Sequence, residues 1–279
     1  MSIPHPETSN EYIAFIGGGN MASAIIGGLL QRGLAAGQIQ VVEPFAEQRD
    51  RLKQQFGIAA SEKPGAGLSR ATLVVWAVKP QTFKEAAGQS RDHTQAALHL
   101  SVAAGIRSDS IASWLGTERI VRAMPNTPAL IGKGMSALFA RPAVDAAGRL
   151  AVERVIQTTG DYLWLDQEAQ LDAVTALSGS GPAYVFYFIE AMVQAGTDMG
   201  LNPEQAHRLA VGTFVGASAL AHDSEESPVV LRERVTSKGG TTHAALTSME
   251  QSGVKQQFMR AIQAARRRAR ELGDEFGAG

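Results

Sequence analysis

Two short stretches of this chain carry residue types suited to chemistry, and they differ in what they could hold. Thr236-Ser237-Lys238-Gly239-Gly240-Thr241-Thr242 packs four hydroxyl side chains and two glycines into seven residues. Backbone N–H groups around paired glycines, with hydroxyls beside them, can form a nest for a small anion. Gly17-Gly18-Gly19-Asn20-Met21-Ala22 lies in the other half of the chain. It fits Gly-x-Gly-x-x-Ala, follows the apolar run Tyr12–Ile16 and opens a helical pattern. In that context the first glycine permits a tight turn and the second lets a pyrophosphate approach the backbone. The small third residue allows close helix–strand packing. The helix N-terminus adds unpaired N–H groups for the phosphates, so all six residues read as a dinucleotide loop. One loop for a cofactor and one for an anionic substrate point to a two-domain reductase.

Other residues fall where such a fold binds ligands, at the carboxyl ends of strands. Glu43 ends the second apolar run, 24 residues after Gly19. An acid there hydrogen-bonds a ribose 2′-hydroxyl, whereas a nearby arginine such as Arg49 serves a 2′-phosphate; both NADH and NADPH stay open. Ala77-Val78-Lys79-Pro80 and Ala103-Ala104-Gly105 follow two further runs, and their small residues admit a ribose or nicotinamide ring. Lys79 can meet a phosphate or face water. In Met124-Pro125-Asn126-Thr127-Pro128 two prolines stiffen the loop. They hold Asn126, whose amide both donates and accepts, for cofactor or substrate or as part of a rigid turn. Ser178-Gly179-Ser180-Gly181-Pro182 reads as a hinge, a pocket wall, or both.

The elements that must position these residues follow from patterning. Short β-rich runs at 12–16, 39–42, 72–78, 98–102, 120–123, 136–139 and 162–165 alternate with helical stretches such as 21–32, 47–56, 108–115 and 144–158. Alternating βα units predict an α/β, Rossmann-like doubly wound and mostly parallel sheet over 1–165. From 166 to 279 no strand is expected, and the region reads as all-helical. Helices are expected at 184–199, 204–221, 228–235, 242–250 and 254–272. The first is apolar nearly all the way round, and such a helix is buried on all sides. A region this small hides it poorly alone, so a partner subunit is the expected cover, with burial inside one chain as the alternative.

Composition narrows the function classes. The 26 basic and 27 acidic residues give a net charge of −1, which provides no footprint for nucleic acid or an anionic membrane. Zero cysteines exclude disulfides and thiol catalysis and fit a reducing, cytoplasmic setting. The histidines at 5, 93, 99, 207, 222 and 243 show no ligand spacing, so no metal site is expected. No apolar run approaches the ~20 residues of a membrane span. Met1–Glu11 lacks the pattern of a signal peptide and reads as a loose lead-in.

Taken in order, 15–22, 78–81, 101–106, 124–128, 176–184 and 235–242 closely resemble the pyrroline-5-carboxylate reductase family over 11–275. The resemblance implies reduction of the cyclic imine 1-pyrroline-5-carboxylate to L-proline by NADPH or NADH. It implies that Thr242 faces the ring nitrogen and that Ser237, Gly239, Gly240 and Thr241 hold the carboxylate. Glu225 matches a family carboxylate near that loop, where it stabilises a helix. The structural alternative for Thr241 and Thr242 is N-capping of the helix that follows. The resemblance also implies an intertwined homodimer, which can assemble into a ring of five dimers. One departure is Lys238, where the family usually has proline; it loosens the loop and adds a charge beside the carboxylate. Two rival readings are a hydroxyacid or imine reductase and a non-catalytic dinucleotide sensor. The hydroxyacid enzymes need a lysine on the helix entering the second domain, and 171–197 contains none. The sensor has no use for a hydroxyl loop.

Overall fold

The computed structural model describes residues 11–277; the expected lead-in up to Asn10 lies outside the described residues. The chain divides into two compact units, one running to Gly179 and resuming at Ala265, the other spanning Ser180–Ala264.

The first unit is built on β1 (Ile13–Ile16), β2 (Ile39–Val42), β3 (Leu73–Trp76), β4 (Leu98–Ser101), β5 (Ile120–Met124), β6 (Gly134–Ala140) and β7 (Gly160–Trp164). These strands form one sheet in the order β2-β1-β3-β4-β5-β6-β7. All neighbours are parallel except β5 and β6. The interleaved helices are α1 (Asn20–Gln31), α2 (Ala46–Phe56), α3 (Pro80–Thr94), α4 (Ser108–Leu115) and α5 (Ala146–Ile156). The expected doubly wound sheet is present. Sequence patterning did not single out α3. Pro80 occupies its first helical position, where a missing N–H costs nothing.

Strand alternation explains the layering. In β1, Ile13 and Phe15 join the core that includes Ile25, Ile26, Leu52 and Val155. Ala14 and Ile16 point the other way, into the core with Trp76, Phe83 and Ile111. Both faces of the strand are therefore buried, as a sheet covered on two sides requires. Strand order reverses between β1 and β3, so the crevice for ligands opens at the carboxyl end of β1, where the glycine loop begins.

Sequence character changes near 165, yet the first compact unit continues to Gly179. Leu171 in α6 (Gln170–Val174) and Ala176 in the π turn behind it are buried. Glu168, just before α6, receives Arg122 Nη1 from β5 and the Ser108 N–H from α4, each at 2.6 Å. These tertiary anchors outweigh the local change in composition.

A buried histidine in the sheet makes stability depend on pH. Trp76 Nε1 donates to His99 Nδ1 at 3.0 Å, so the neutral ring carries its proton on Nε2. Nε2 is buried without a partner of hydrogen-bond geometry among the described residues, and the nearby Thr94 backbone only partly offsets the burial. Burial, helped by the Arg119 charge, pushes His99 down to about 4 from 6.5. Between those values the unfolded chain binds a proton that the folded chain does not. Stability is thus full above about pH 6.5 and falls as pH drops towards 4, by about 3 kcal/mol in total. Thermal melts from pH 4 to 7.5 should show this slope in the wild type and a flatter one in His99→Phe. Equal slopes would remove His99 as the cause.

The second unit is helical, with α7 (Gly181–Asp198), α8 (Pro203–Asp223), α9 (Pro228–Arg234), α10 (Thr241–Gln251) and the first part of α11 (Val254–Gly277). Asn202 caps α8 by accepting from Gln205 N, while Gln205 Oε1 accepts from Asn202 N, a reciprocal capping box ahead of Pro203. Gly196 of α7 sits close to Ala206 of α8, where a Cβ would lie 3.1 Å away. Tyr184 and Phe188 meet Phe258 edge-on. Most of α7 nevertheless stays open within one chain: Phe186 is 65% and Tyr187 70% exposed. No helix among the described residues is long and apolar enough to cross a membrane.

Candidate active site

In the first unit, β1 delivers the chain into the glycine loop with Gly17 at φ +95. A Cβ on Gly17 would lie 2.5 Å from the Ala77 carbonyl oxygen, and one on Gly18 would lie 2.6 Å from Leu52 Cδ1. Around Gly19 a Cβ would meet nothing within 4 Å. Gly17 is thus required by backbone geometry, Gly18 by packing, and Gly19 leaves open space. Gly19 is the N-cap of α1 and offers no side-chain cap, so the first-turn N–H groups of Asn20 and Met21 face outward. Ala22 is fully buried against the sheet.

A cavity of about 790 Å³ opens in front of this loop. Gly17, Gly19, Glu43, Ala77, Val78 and Lys79 line it, together with others that sequence reading did not name, among them Phe45, Arg51, Lys63 and Thr82. The volume lies within the range of small-molecule and cofactor sites. The uncapped helix start and the open face of Gly19 fit a pyrophosphate. Ala103, Ala104, Gly105, Pro80 and Asn126 are not among the lining residues.

Several expected side chains are already engaged. Glu43 is 5% exposed. Its carboxylate accepts from Gly18 N at 2.8 Å and from Phe45 N at 2.9 Å, tying the glycine loop to the turn after β2. Gln48 Nε2 donates to Gly18 O at 2.6 Å and steadies the same loop from α2, a role with no local sequence signal. Arg49 Nη1 donates to the carbonyls of Glu43 and Pro44, so it braces the turn and is absent from the cavity wall. Asn126 Nδ2 donates to Ser178 O at 3.1 Å, and its Oδ1 accepts from Met135 N at 2.9 Å. Of the two readings of this amide, these bonds match the rigid turn: it braces the Met124–Pro128 loop against β6 and the π turn.

In the second unit, the hydroxyl loop turns at Gly239, φ +76, and Gly240 N donates to Ser237 O at 3.0 Å. A Cβ on Gly240 would lie 2.5 Å from Ser237 Oγ, so only glycine lets the serine fold over the turn. Thr236 Oγ1 donates back to Arg232 O and closes α9. The N-cap of α10 is Gly240, and it has no side-chain cap. This corrects the capping alternative: Thr241 and Thr242 lie inside the first turn, past the position from which a hydroxyl caps. Their hydroxyls, like that of Ser237, make no hydrogen bond among the described residues and stay available. Lys238 is exposed. Glu225 is also exposed and makes no ion pair among the described residues, whereas its neighbour Glu226 holds Arg234 of α9 at 2.5 Å. Helix stabilisation thus belongs to Glu226, one residue beyond the acid that sequence reading chose.

Comparison with known proteins is consistent along nearly the whole chain. Residues 168–272 match the family described as pyrroline-5-carboxylate reductase dimerisation. Residues 12–105 match NADP oxidoreductase, coenzyme F420-dependent. A pyrroline-5-carboxylate reductase of Pseudomonas aeruginosa is 44% identical over 273 residues, covering 96% of this chain and 99% of that protein. The structure of a pyrroline-5-carboxylate reductase from Coxiella burnetii superimposes with a TM-score of 0.88 at 37% identity, covering 95% of this chain and 99% of the other. That of a Plasmodium falciparum pyrroline carboxylate reductase with NADP bound gives 0.85 at 26%, covering 96% and 100%. With a cavity in front of a glycine loop in one unit, an uncapped helix start beside free hydroxyls in the other, and a relative this similar over nearly its full length, the chain belongs to the pyrroline-5-carboxylate reductase family.

Proposed function

We propose that this chain reduces 1-pyrroline-5-carboxylate to L-proline with NADPH or NADH. The observation that carries the reading is the start of α10, where Thr241 and Thr242 present unengaged hydroxyls and uncapped N–H groups beside Gly239 and Gly240. Those N–H groups suit a carboxylate, and a hydroxyl suits a ring nitrogen. When bound, the reduced nicotinamide supplies a hydride to the imine carbon. Gly17, Gly18 and Gly19 and the first turn of α1 hold the pyrophosphate; Ala77, Val78, Lys79 and Pro80, with Ala103, Ala104 and Gly105, flank the remainder. Gly239, Gly240, Thr241 and Ser237 fix the carboxylate. Thr242 orients the ring nitrogen as it takes up its proton. Protonated imine is already electrophilic, so the work of the protein is mostly positioning.

In this reading, 1–165 is the dinucleotide-binding domain and 166–279 the dimerisation and substrate domain. The open apolar face of α7 supports a homodimer, which a ring of five dimers would extend. A cytoplasmic setting accords with the absence of cysteine.

The test is Thr242→Ala, assayed by nicotinamide oxidation with 1-pyrroline-5-carboxylate. Loss of one hydrogen bond to a charged group should lower turnover about ten- to a hundredfold, with NADPH and NADH binding retained. Unchanged turnover would overturn the role of Thr242. No oxidation by folded wild-type protein with either nucleotide would overturn the reaction itself.

A further inference from the structure

The loop between β4 and α4 is held by the end of the chain. Its first residues are tied locally: Val102 N donates to Trp76 O at 3.1 Å and Ala103 N to Ser101 Oγ at 3.3 Å. Beyond that, the N–H groups of Ala104 and Gly105 have no hydrogen-bond partner among the described residues. With those two N–H groups unbonded, this part of the loop takes its position from what packs on it.

What packs on it is the last two turns of α11. Gly105 has φ +73, and a Cβ there would lie 3.4 Å from both Leu272 Cβ and Phe276 Cδ2. Phe276 is half-buried and adds its ring to the cluster containing Ala103, Ile106 and Ile111. One turn back, Gly273 is buried beneath the Arg107 guanidinium, where a Cβ would lie 3.4 Å from Nη2. Arg107 Nη2 donates to Asp274 Oδ1 at 2.6 Å. The helix end thus grips the loop at Gly105 through apolar contact and at Arg107 through an ion pair. That pair is 37% and 65% exposed, so the apolar contact is the stronger hold.

We infer that the end of α11 is a positioning element for the Ala103–Gly105 loop, with Phe276 as its principal residue, so that dinucleotide affinity depends on residues at the opposite end of the chain. This rests on the dinucleotide reading above. Phe276 touches the loop and is a positioning residue, not a catalytic one. Without its ring the loop samples other positions, and apparent affinity falls with the fraction of molecules in the competent one.

The experiment titrates NADH and NADPH into full-length wild type, Phe276→Ala and Phe276→Leu, followed by tryptophan fluorescence. Melting and sedimentation report folding and assembly, and steady-state kinetics report each substrate separately. A fall of the competent population to about one tenth raises the apparent Kd about tenfold in Phe276→Ala. KM for the imine acid at saturating cofactor should stay at the wild-type value, and leucine should restore most of the affinity. If the Phe276→Ala protein does not fold, Phe276→Leu, which removes only part of the ring contact, should show a smaller rise in Kd with the same unchanged KM. Wild-type Kd in a folded Phe276→Ala protein would overturn the inference. So would a loss of kcat and of both affinities in proportion to unfolded protein. Wild-type protein that binds neither nucleotide would instead overturn the reading on which the inference rests.

Discussion

Replacing Gly17 with alanine is expected to remove most dinucleotide affinity and to destabilise the fold in the same stroke. Gly17 sits at φ +95, a conformation that costs any other residue strain, and its N–H already donates to Val42 O at 2.8 Å. A methyl group there would lie 2.5 Å from the Ala77 carbonyl oxygen, which belongs to the backbone at the end of β3 and cannot swing aside. The loop must shift. Strain and clash together should cost about 2–4 kcal/mol of stability. Losing two or more charge-assisted hydrogen bonds to the pyrophosphate should weaken binding about a hundredfold or more. Gly19→Ala is the informative control. Its φ of −68 is ordinary and a Cβ would meet no protein atom within 4 Å, so the fold should melt as wild type. The same methyl projects into the space proposed for the pyrophosphate, so binding should still fall. Calorimetric titration with NADPH and NADH beside thermal melts reads both quantities. Parallel losses of stability in both variants would contradict these separate roles for the two glycines.

Glu168→Ala is expected to cost about 3–5 kcal/mol, the loss seen when one partner of a buried ion pair is removed. Arg122 and Glu168 side chains are 10% and 21% exposed, and Arg122 Nε already lacks a hydrogen-bond partner among the described residues. Burial pulls the Arg122 pKa down, while Glu168 holds its charge in place. Asp172 contributes charge nearby but no hydrogen bond. The alanine variant also strips the Ser108 N–H and hydroxyl at the start of α4 of their acceptor. By contrast Arg141 pairs with Asp109 and Glu118, which are largely exposed, and its loss should matter less. Because apolar residues of similar volume replace buried ion pairs at little cost, Arg122→Met with Glu168→Leu should recover much of the stability. Denaturant melts of Arg122→Met, Glu168→Leu and the double variant supply the cycle, with Glu168→Ala beside them. A double variant no more stable than Glu168→Ala would mean that the Ser108 contacts, and not the stranded charge, set the loss.

The glycine loop, the alternation of strands and helices and the switch to an all-helical region were legible because each depends on a few consecutive residues. A turn that demands positive φ, a period of two and a helix N-terminus are local properties. The apolar girth of α7 was legible in the same way; Phe186 and Tyr187 remain open within one chain. Tertiary structure alone decided what the polar side chains do. Glu43 reaches Gly18, Asn126 reaches Ser178, and Glu168 reaches Ser108 and Arg122, all across long stretches of sequence. Such partners meet only once strand order and register are set, and a strand-end carboxylate carries the same letter whether it faces a ribose or a backbone N–H. Thr241 and Thr242 were uncertain for a finer reason: a one-residue difference in where α10 begins decides whether a hydroxyl caps the helix or stays available. The grip of Phe276 on Gly105 has no counterpart in local sequence at all, because it exists only where the end of the chain returns to pack beside the loop after β4.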